Sequence, residues 1–412
     1  MINALDFNKT DFYDASKFTQ KHGDKVYRLS TEAIEEFIGL RRDIHRHPEL
    51  AYEEHRTSAL VADKLRQWGY NVTTGLGGTG VVGQLVRGTG KARIGLRADM
   101  DALPIQENNG LAWSSCKPGL MHACGHDGHT AMLLAAAQML ALQTTWSGTL
   151  NLIFQPAEEG GGGALRMMLD GLFEQFPCDS IYAMHNMPGF PQGQLVFRNG
   201  PTMASSDYMS ITLHGQGGHG AMPHRANDPV VAAASLIMAL QTVVSRNVDP
   251  LQPAVVTVGS IQAGKANNVI PDTAQLEISV RALDPQVRVH MRQRLHDLVQ
   301  LQAQSYGVRA AIDWRDGYAV LVNNAQCTAQ ALQVARKHFT SEQIVDNGPM
   351  LTGSEDFAFM LERVPGCYLF IGNGAGQEPG ACMVHNPAYD FNDHNIAIGA
   401  QYWVALVNDL LS

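Results

Sequence analysis

The sequence carries little charge for its length, and nowhere concentrates it. Charged residues make up 17%, and Lys+Arg of 30 against Asp+Glu of 39 leaves a formal net charge of −9. No block of Lys or Arg stands out, which argues against nucleic acid or an anionic membrane as the main partner. No stretch approaches eighteen uninterrupted apolar residues, so no spanning helix is expected. The start, Met1-Ile2-Asn3-Ala4-Leu5-Asp6, has no apolar run like a secretory signal. Cysteine is scarce, with six in 412 residues at positions 116, 124, 178, 327, 367 and 382. Their irregular spacing points to reduced thiols and a cytoplasmic setting rather than a disulfide framework. No short internal repeat or low-complexity segment is evident.

What is present is a globular composition, 45% hydrophobic, in a chain too long for one ordinary core. Residues 31–46 and 56–68 have apolar positions at helical spacing, with Gly69 as a stop. Residues 81–86 and 92–97 read as short strands, 129–142 as a helix rich in Ala, Leu and Met, and 149–154 as a strand. A helix from Ala164 to Leu172 and a strand from Ser180 to Met184, ended by His185, follow. Alternation of this kind predicts a mostly parallel α/β sheet with helices on both faces. The pattern changes over 199–311. There the order is strand (206–214), glycine loop (215–220), helix (228–246), strands (254–262 and 274–282), helix (286–306) and strand (307–314). That is an α+β unit of a four-stranded antiparallel sheet and two helices. The α/β pattern resumes with a helix at 324–338 and a strand at 367–371. The expected division is therefore one domain of residues 1–198 and 312–412, with 199–311 inserted. Residues 1–30 read as a polar extension, with a helix packed on the outside.

The most informative stretch is Met121-His122-Ala123-Cys124-Gly125-His126-Asp127-Gly128-His129. It puts a thiolate, an imidazole and a carboxylate on one tight turn, which is poor core composition and a good transition-metal site. A nucleophilic Cys124 is the rival reading, but it leaves Pro156-Ala157-Glu158-Glu159-Gly160 unexplained. Those paired carboxylates follow a buried strand and precede glycines. One can bind metal while its neighbour takes a proton from water. His185 after an apolar strand and His385 in Met383-Val384-His385-Asn386-Pro387 complete a donor set sufficient for two metals. These groups fall beyond strand ends, where open α/β sheets bind their ligands. The reading is a metal-dependent hydrolase.

The same motifs resemble the amidohydrolase branch of the M20 metallopeptidases, which includes aminoacylases, hippurate hydrolases and auxin-conjugate hydrolases. They are Asp99-Met100-Asp101-Ala102-Leu103-Pro104, His122-Ala123-Cys124-Gly125-His126-Asp127, Gln155-Pro156-Ala157-Glu158-Glu159-Gly160, Asn268-Val269-Ile270-Pro271 and Gly353-Ser354-Glu355-Asp356-Phe357. The resemblance implies Cys124, His126, Glu159, His185 and His385 as ligands of two divalent ions (Zn, Mn, Co or Ni), with Glu158 as general base. It implies a zinc-peptidase-like catalytic domain and an inserted lid through which the chain forms a homodimer or tetramer. Where the wider family has His-x-Asp, this chain has Asp99-Met100-Asp101. Asp101 is then expected to orient the site, and Asp99 has no secure role. In the lid, His219 is expected to stabilise the oxyanion, a contribution of about 3 kcal/mol. Asn268 and Arg281 are expected to contact the substrate carboxylate. His224 is a weaker candidate; His45, His47, His122 and His129 are read as supporting or packing residues. The expected reaction is hydrolysis of N-acyl amino acids. A dipeptidase or an N-acetyl-diaminopimelate-type deacetylase is the alternative, and a non-catalytic metal-binding protein on the same scaffold is a third reading.

Overall fold

The structure, a computed structural model, describes residues 28–412 together with Phe18 and Thr19. The expected extension over 1–30 therefore lies mostly outside the described residues. Its described part is an antiparallel pairing of Phe18–Thr19 with Arg28–Leu29, not a helix.

An eight-stranded sheet forms the base of the molecule. Its spatial order is Ile344–Asp346, Leu195–Phe197, Gly366–Gly374, Ser180–Pro188, Arg93–Asp99, Gly148–Gln155, Gly80–Arg87, Asn71–Leu76. Four central strands, Gly366–Gly374, Ser180–Pro188, Arg93–Asp99 and Gly148–Gln155, run parallel, and the antiparallel partners Leu195–Phe197 and Gly80–Arg87 flank them. Because side chains alternate along a strand, each central strand serves two cores. Leu152, Phe154, Tyr182 and Met184 face one side, where they meet helices that include Thr31–Arg46, His126–Leu142 and Asn395–Leu410. Ile153, Ile181 and Ala183 face the other, against Met167, Phe357 and Met360. Strands buried on both faces explain the near-continuous apolar runs that the sequence shows there.

The helix expected from residue 129 starts at His126. Gly125 caps it at φ +90°, a left-handed conformation that glycine adopts without strain. A Cβ at that position would stand 2.2 Å from Asn186 Oδ1. Two turn-like residues of the motif thus open a helix that is buried almost all round, with no solvent-facing stripe to announce it. Gly128, one turn in, lets the Phe391 ring press on the helix, where a Cβ would come within 2.4 Å. The strand expected to end at His185 runs on to Pro188, so His185 sits inside it, opposite Phe370. The helix expected over 164–172 is two, Gly163–Leu169 and Leu172–Gln175, interrupted at Gly171.

A separate four-stranded antiparallel sheet has the order Ala254–Ala263, Thr273–Ala282, Asp207–His214, Arg309–Asp316. One face is buried: Met209, Ile211, Leu213, Leu276, Ile278 and Val280 pack against helices Pro229–Asn247 and Pro285–Ser305. Both helices begin with an Asp cap and Pro at the first position, Asp228-Pro229 and Asp284-Pro285. By length and composition, Pro229–Asn247 is apolar enough to cross a membrane, contrary to expectation. Its Ala232, Ala233, Leu236, Leu240 and Val243 are instead buried against the sheet.

Candidate metal centre and active site

The sheet delivers the motif residues to one place. Asp99 ends a central strand and Asp101 lies just beyond it; Glu158 and Glu159 follow the next strand, and His185 comes from the third. Cys124 and His126 enter on the turn that starts the buried helix, and His385 arrives from a loop whose backbone N–H bonds to the Ala123 carbonyl at 2.7 Å. Two of the four non-glycine residues with left-handed backbone among the described residues are here, Ala157 at φ +53° and His385 at φ +64°. Strain of this kind persists only where surrounding contacts enforce it.

Cys124, Glu159 and His385 present donor atoms within 4.8 Å of one another, as do His126, Glu158 and Glu159. Cys124 Sγ lies 3.4 Å from His185 Nε2, and His385 Nε2 lies 3.1 Å from Glu159 Oε1. Cys124, His126 and His385 thus meet at Glu159, with His185 against Cys124 and Glu158 beside them. His185 donates its Nδ1–H to the Asn186 carbonyl at 2.6 Å, which turns Nε2 inward as a lone pair. Burial and the neighbouring His129 hold His185 neutral, its pKa well below the ordinary value.

Several features fit a cation. Asp99, Asp101, Glu158, Glu159, Glu355 and Asp356 crowd together, and the guanidinium of Arg97 is buried among them. His126 Nε2 and Glu159 Oε1 are buried without a hydrogen bond. Burial lowers the His126 pKa, but Asp99, Asp101 and Glu159 outweigh it and push it up to about 10. Burial, then Glu355 and Glu159, hold Glu158 protonated well above the usual carboxyl range. An enclosed excess of carboxylate, with orphaned donors aimed at a common point, is the electrostatic signature of a metal site.

Asp101 lies against the donor set. One oxygen lies 3.2 Å from His126 Nδ1 and the other accepts from the Glu159 N–H at 2.9 Å. Asp99, left without a role by the sequence, accepts from Arg97 at 2.6 Å and meets His129 Nδ1 at 2.6 Å; His129 Nε2 then meets the Asn186 side chain at 2.7 Å. His45 bridges Glu107 and Asp127, and Arg41 pairs with the same Asp127 at 2.7 Å, all buried. His47 bonds the Asp43 carbonyl. Both ring nitrogens of His122 are buried without a partner, and burial pushes its pKa down to about 3.

The centre opens into a cleft of about 900 Å³ lined by Cys124, Glu158, Glu159, His185 and His385. Arg281 reaches this cleft from the antiparallel sheet and donates to Ser354 Oγ at 3.1 Å. His219 and Asn268 do not line it. His219 lies exposed on a small ribbon, Gly218–His219 paired with Val269–Ile270, and Asn268 in the turn just before its second strand. His224 is likewise exposed, in a short turn at Pro223–Arg225. Sequence reasoning passed over Glu54 and Tyr318, which bond the backbone of the loop that carries Glu158 and Glu159, and Arg97, buried among the carboxyls. Of the supporting groups, Glu355 and Asp356 were signalled by their motif.

Residues 95–409 match the peptidase family M20/M25/M40. The chain is 45% identical over 371 residues to a hippurate hydrolase of Campylobacter jejuni, covering 90% of this chain and 95% of the other. It is 38% identical over 387 residues to an N-acetyl-L-cysteine deacetylase of Bacillus subtilis, covering 94% and 90%. It also resembles the crystal structure of a dinuclear metal binding M20 peptidase from Bacillus subtilis, with TM-score 0.80 and 30% identity over 93% of this chain and 99% of that one. The chain belongs to peptidase family M20/M25/M40, and within it to the hydrolases that cleave amide bonds.

Proposed function

We propose that this protein is a dinuclear metal-dependent amidohydrolase that splits N-acyl amino acids into acid and amino acid. The observation that carries the reading is the gathering of Cys124, His126, His185 and His385 around Glu159, with the carboxyl of Glu158 alongside. Those five residues would hold two divalent ions, Zn, Mn, Co or Ni. Bound there, the ions supply Lewis acidity toward the scissile carbonyl and the attacking water. Glu158 takes the proton from that water and returns it to the leaving amine. Asp101 keeps His126 and the Glu159 backbone in register for this work.

Two unlike kinds of lining in the cleft support the substrate class. Arg281 offers a guanidinium to a free carboxylate, while Met187, Met203, Leu351 and Phe370 offer an apolar wall to an acyl group. His219 is proposed to reach the developing oxyanion by closure of the lid, or from the lid of a second copy in a homodimer or tetramer. The reading places the chain in the cytoplasm.

The test is a panel of N-acetyl, N-benzoyl and dipeptide substrates offered to protein loaded with each ion, with products identified. Amide cleavage of acylated amino acids with the highest kcat/KM supports the reading. Absence of cleavage with all four ions overturns it. In the same assay, Arg281→Ala is expected to lower kcat/KM by about 1.5–3 kcal/mol, roughly tenfold to a hundredfold, for substrates with a free carboxylate. Their methyl esters should be hydrolysed equally by both proteins, and an equal loss on esters would remove Arg281 from carboxylate recognition.

A further inference from the structure

The loop that carries Glu158 and Glu159 is gripped at its backbone by side chains from several directions. Glu54, fully buried, accepts from the Ala157 N–H at 2.8 Å, holding that residue in its left-handed conformation. Asp101 accepts from Glu159 N–H and Asp356 from Ala164 N–H at 2.8 Å. Tyr52 donates to the Gly161 carbonyl at 2.7 Å. All four come from the catalytic sheet or its connections.

The fifth grip comes from elsewhere. Tyr318 lies where the chain leaves the antiparallel sheet, two residues after the strand Arg309–Asp316. Its hydroxyl donates to the Glu158 carbonyl at 2.5 Å and accepts from the Gly162 N–H at 3.1 Å. Its backbone is tied on both sides to Ser206, on the neighbouring crossing: Ser206 N–H bonds to the Tyr318 carbonyl and Tyr318 N–H to Ser206 Oγ, each at 3.1 Å. The ring is steadied edge-on by Phe359, with centroids 6.0 Å apart.

We propose that Tyr318 is a positioning residue for Glu158, fastening the base loop to the point where the chain leaves the antiparallel-sheet unit. This rests on the reading of Glu158 as the base. The hydroxyl acts through the loop, because its one hydrogen is committed to the Glu158 carbonyl and is not free for a substrate oxygen. Glu158 reaches the site from a loop built around a strained Ala157, so each backbone anchor restricts where its carboxyl can stand. Displacement of a reacting group by about 1 Å can cost about a hundredfold in rate.

Tyr318→Phe removes only the hydroxyl and leaves the ring on Phe359. It is expected to lower kcat about tenfold to a hundredfold, with KM within about threefold and metal content unchanged. Glu158→Gln and the double variant are measured alongside. Residues acting as one unit are not additive, so the double variant should lose no more than Glu158→Gln alone. Unchanged kcat in Tyr318→Phe, loss of metal, or multiplied losses in the double variant would overturn the inference while leaving the base reading intact. Near-normal turnover in Glu158→Gln would overturn both.

Discussion

Glu158→Gln is expected to bind metal as the parent does and to lose about a thousandfold in kcat, the scale of a positioned general base. The substitution keeps the shape of the side chain and removes its ability to accept a proton. The five proposed ligands are untouched, since Glu158 stands beside them. In the metal-free protein, burial first and then Glu355, Glu159 and Asp356 hold its pKa well above the ordinary carboxyl value. Cations in the site would act in the opposite direction, favouring the carboxylate that the proposed base role requires. Metal content and single-turnover rate, measured on the same preparation, check the expectation. A variant that binds metal and turns over normally would remove Glu158 from proton transfer.

Arg97→Met is expected to carry the largest cost in stability. The guanidinium is buried and donates to Asp99 at 2.6 Å, Glu355 at 2.9 Å, Asp356 at 3.3 Å and Gln155 at 2.8 Å. Burial opposes its charge, but Glu355, Asp99 and Asp356 overcome this and raise its pKa well above the usual value. Removing it takes the counter-charge from the enclosed Glu355 and Asp356 and one partner from Asp99, which keeps His129. Breaking a buried pair in this way costs about 3–5 kcal/mol. The denaturant midpoint of the metal-free protein reads this directly. A midpoint equal to the parent's would mean that the carboxyls simply take up protons and that Arg97 is dispensable to the fold.

Much of this arrangement was legible in the sequence, for identifiable reasons. Thiol, imidazole and carboxyl on one glycine turn cannot be core, so Cys124 and His126 declared themselves. Glu158 and Glu159 did so by following a buried strand into a glycine run. The strands were legible because those of the central sheet are buried on both faces, and those of the lid sheet on one. The start of the buried helix at His126 was hidden, because its first turn is made of polar groups satisfied by distant partners. Arg97 was hidden for a related reason. It occupies an ordinary strand position, and its partner Glu355 lies 258 residues away. Tyr318 sits in a connection with no periodic pattern to give it direction. The separation of His219 from the cleft depends on how one packed unit sits against another, which no local pattern encodes.

His385 differs from its companions in one respect. Its side chain is 52% exposed, whereas that of Glu159 is 12% exposed and that of His126 is fully enclosed. It lines the cleft proposed to take the substrate. Ions and reactants would then share that approach, and an acylated amino acid lying across it would block the exit. Occupancy should slow the escape of the ions, so that the working enzyme resists chelators better than the idle one.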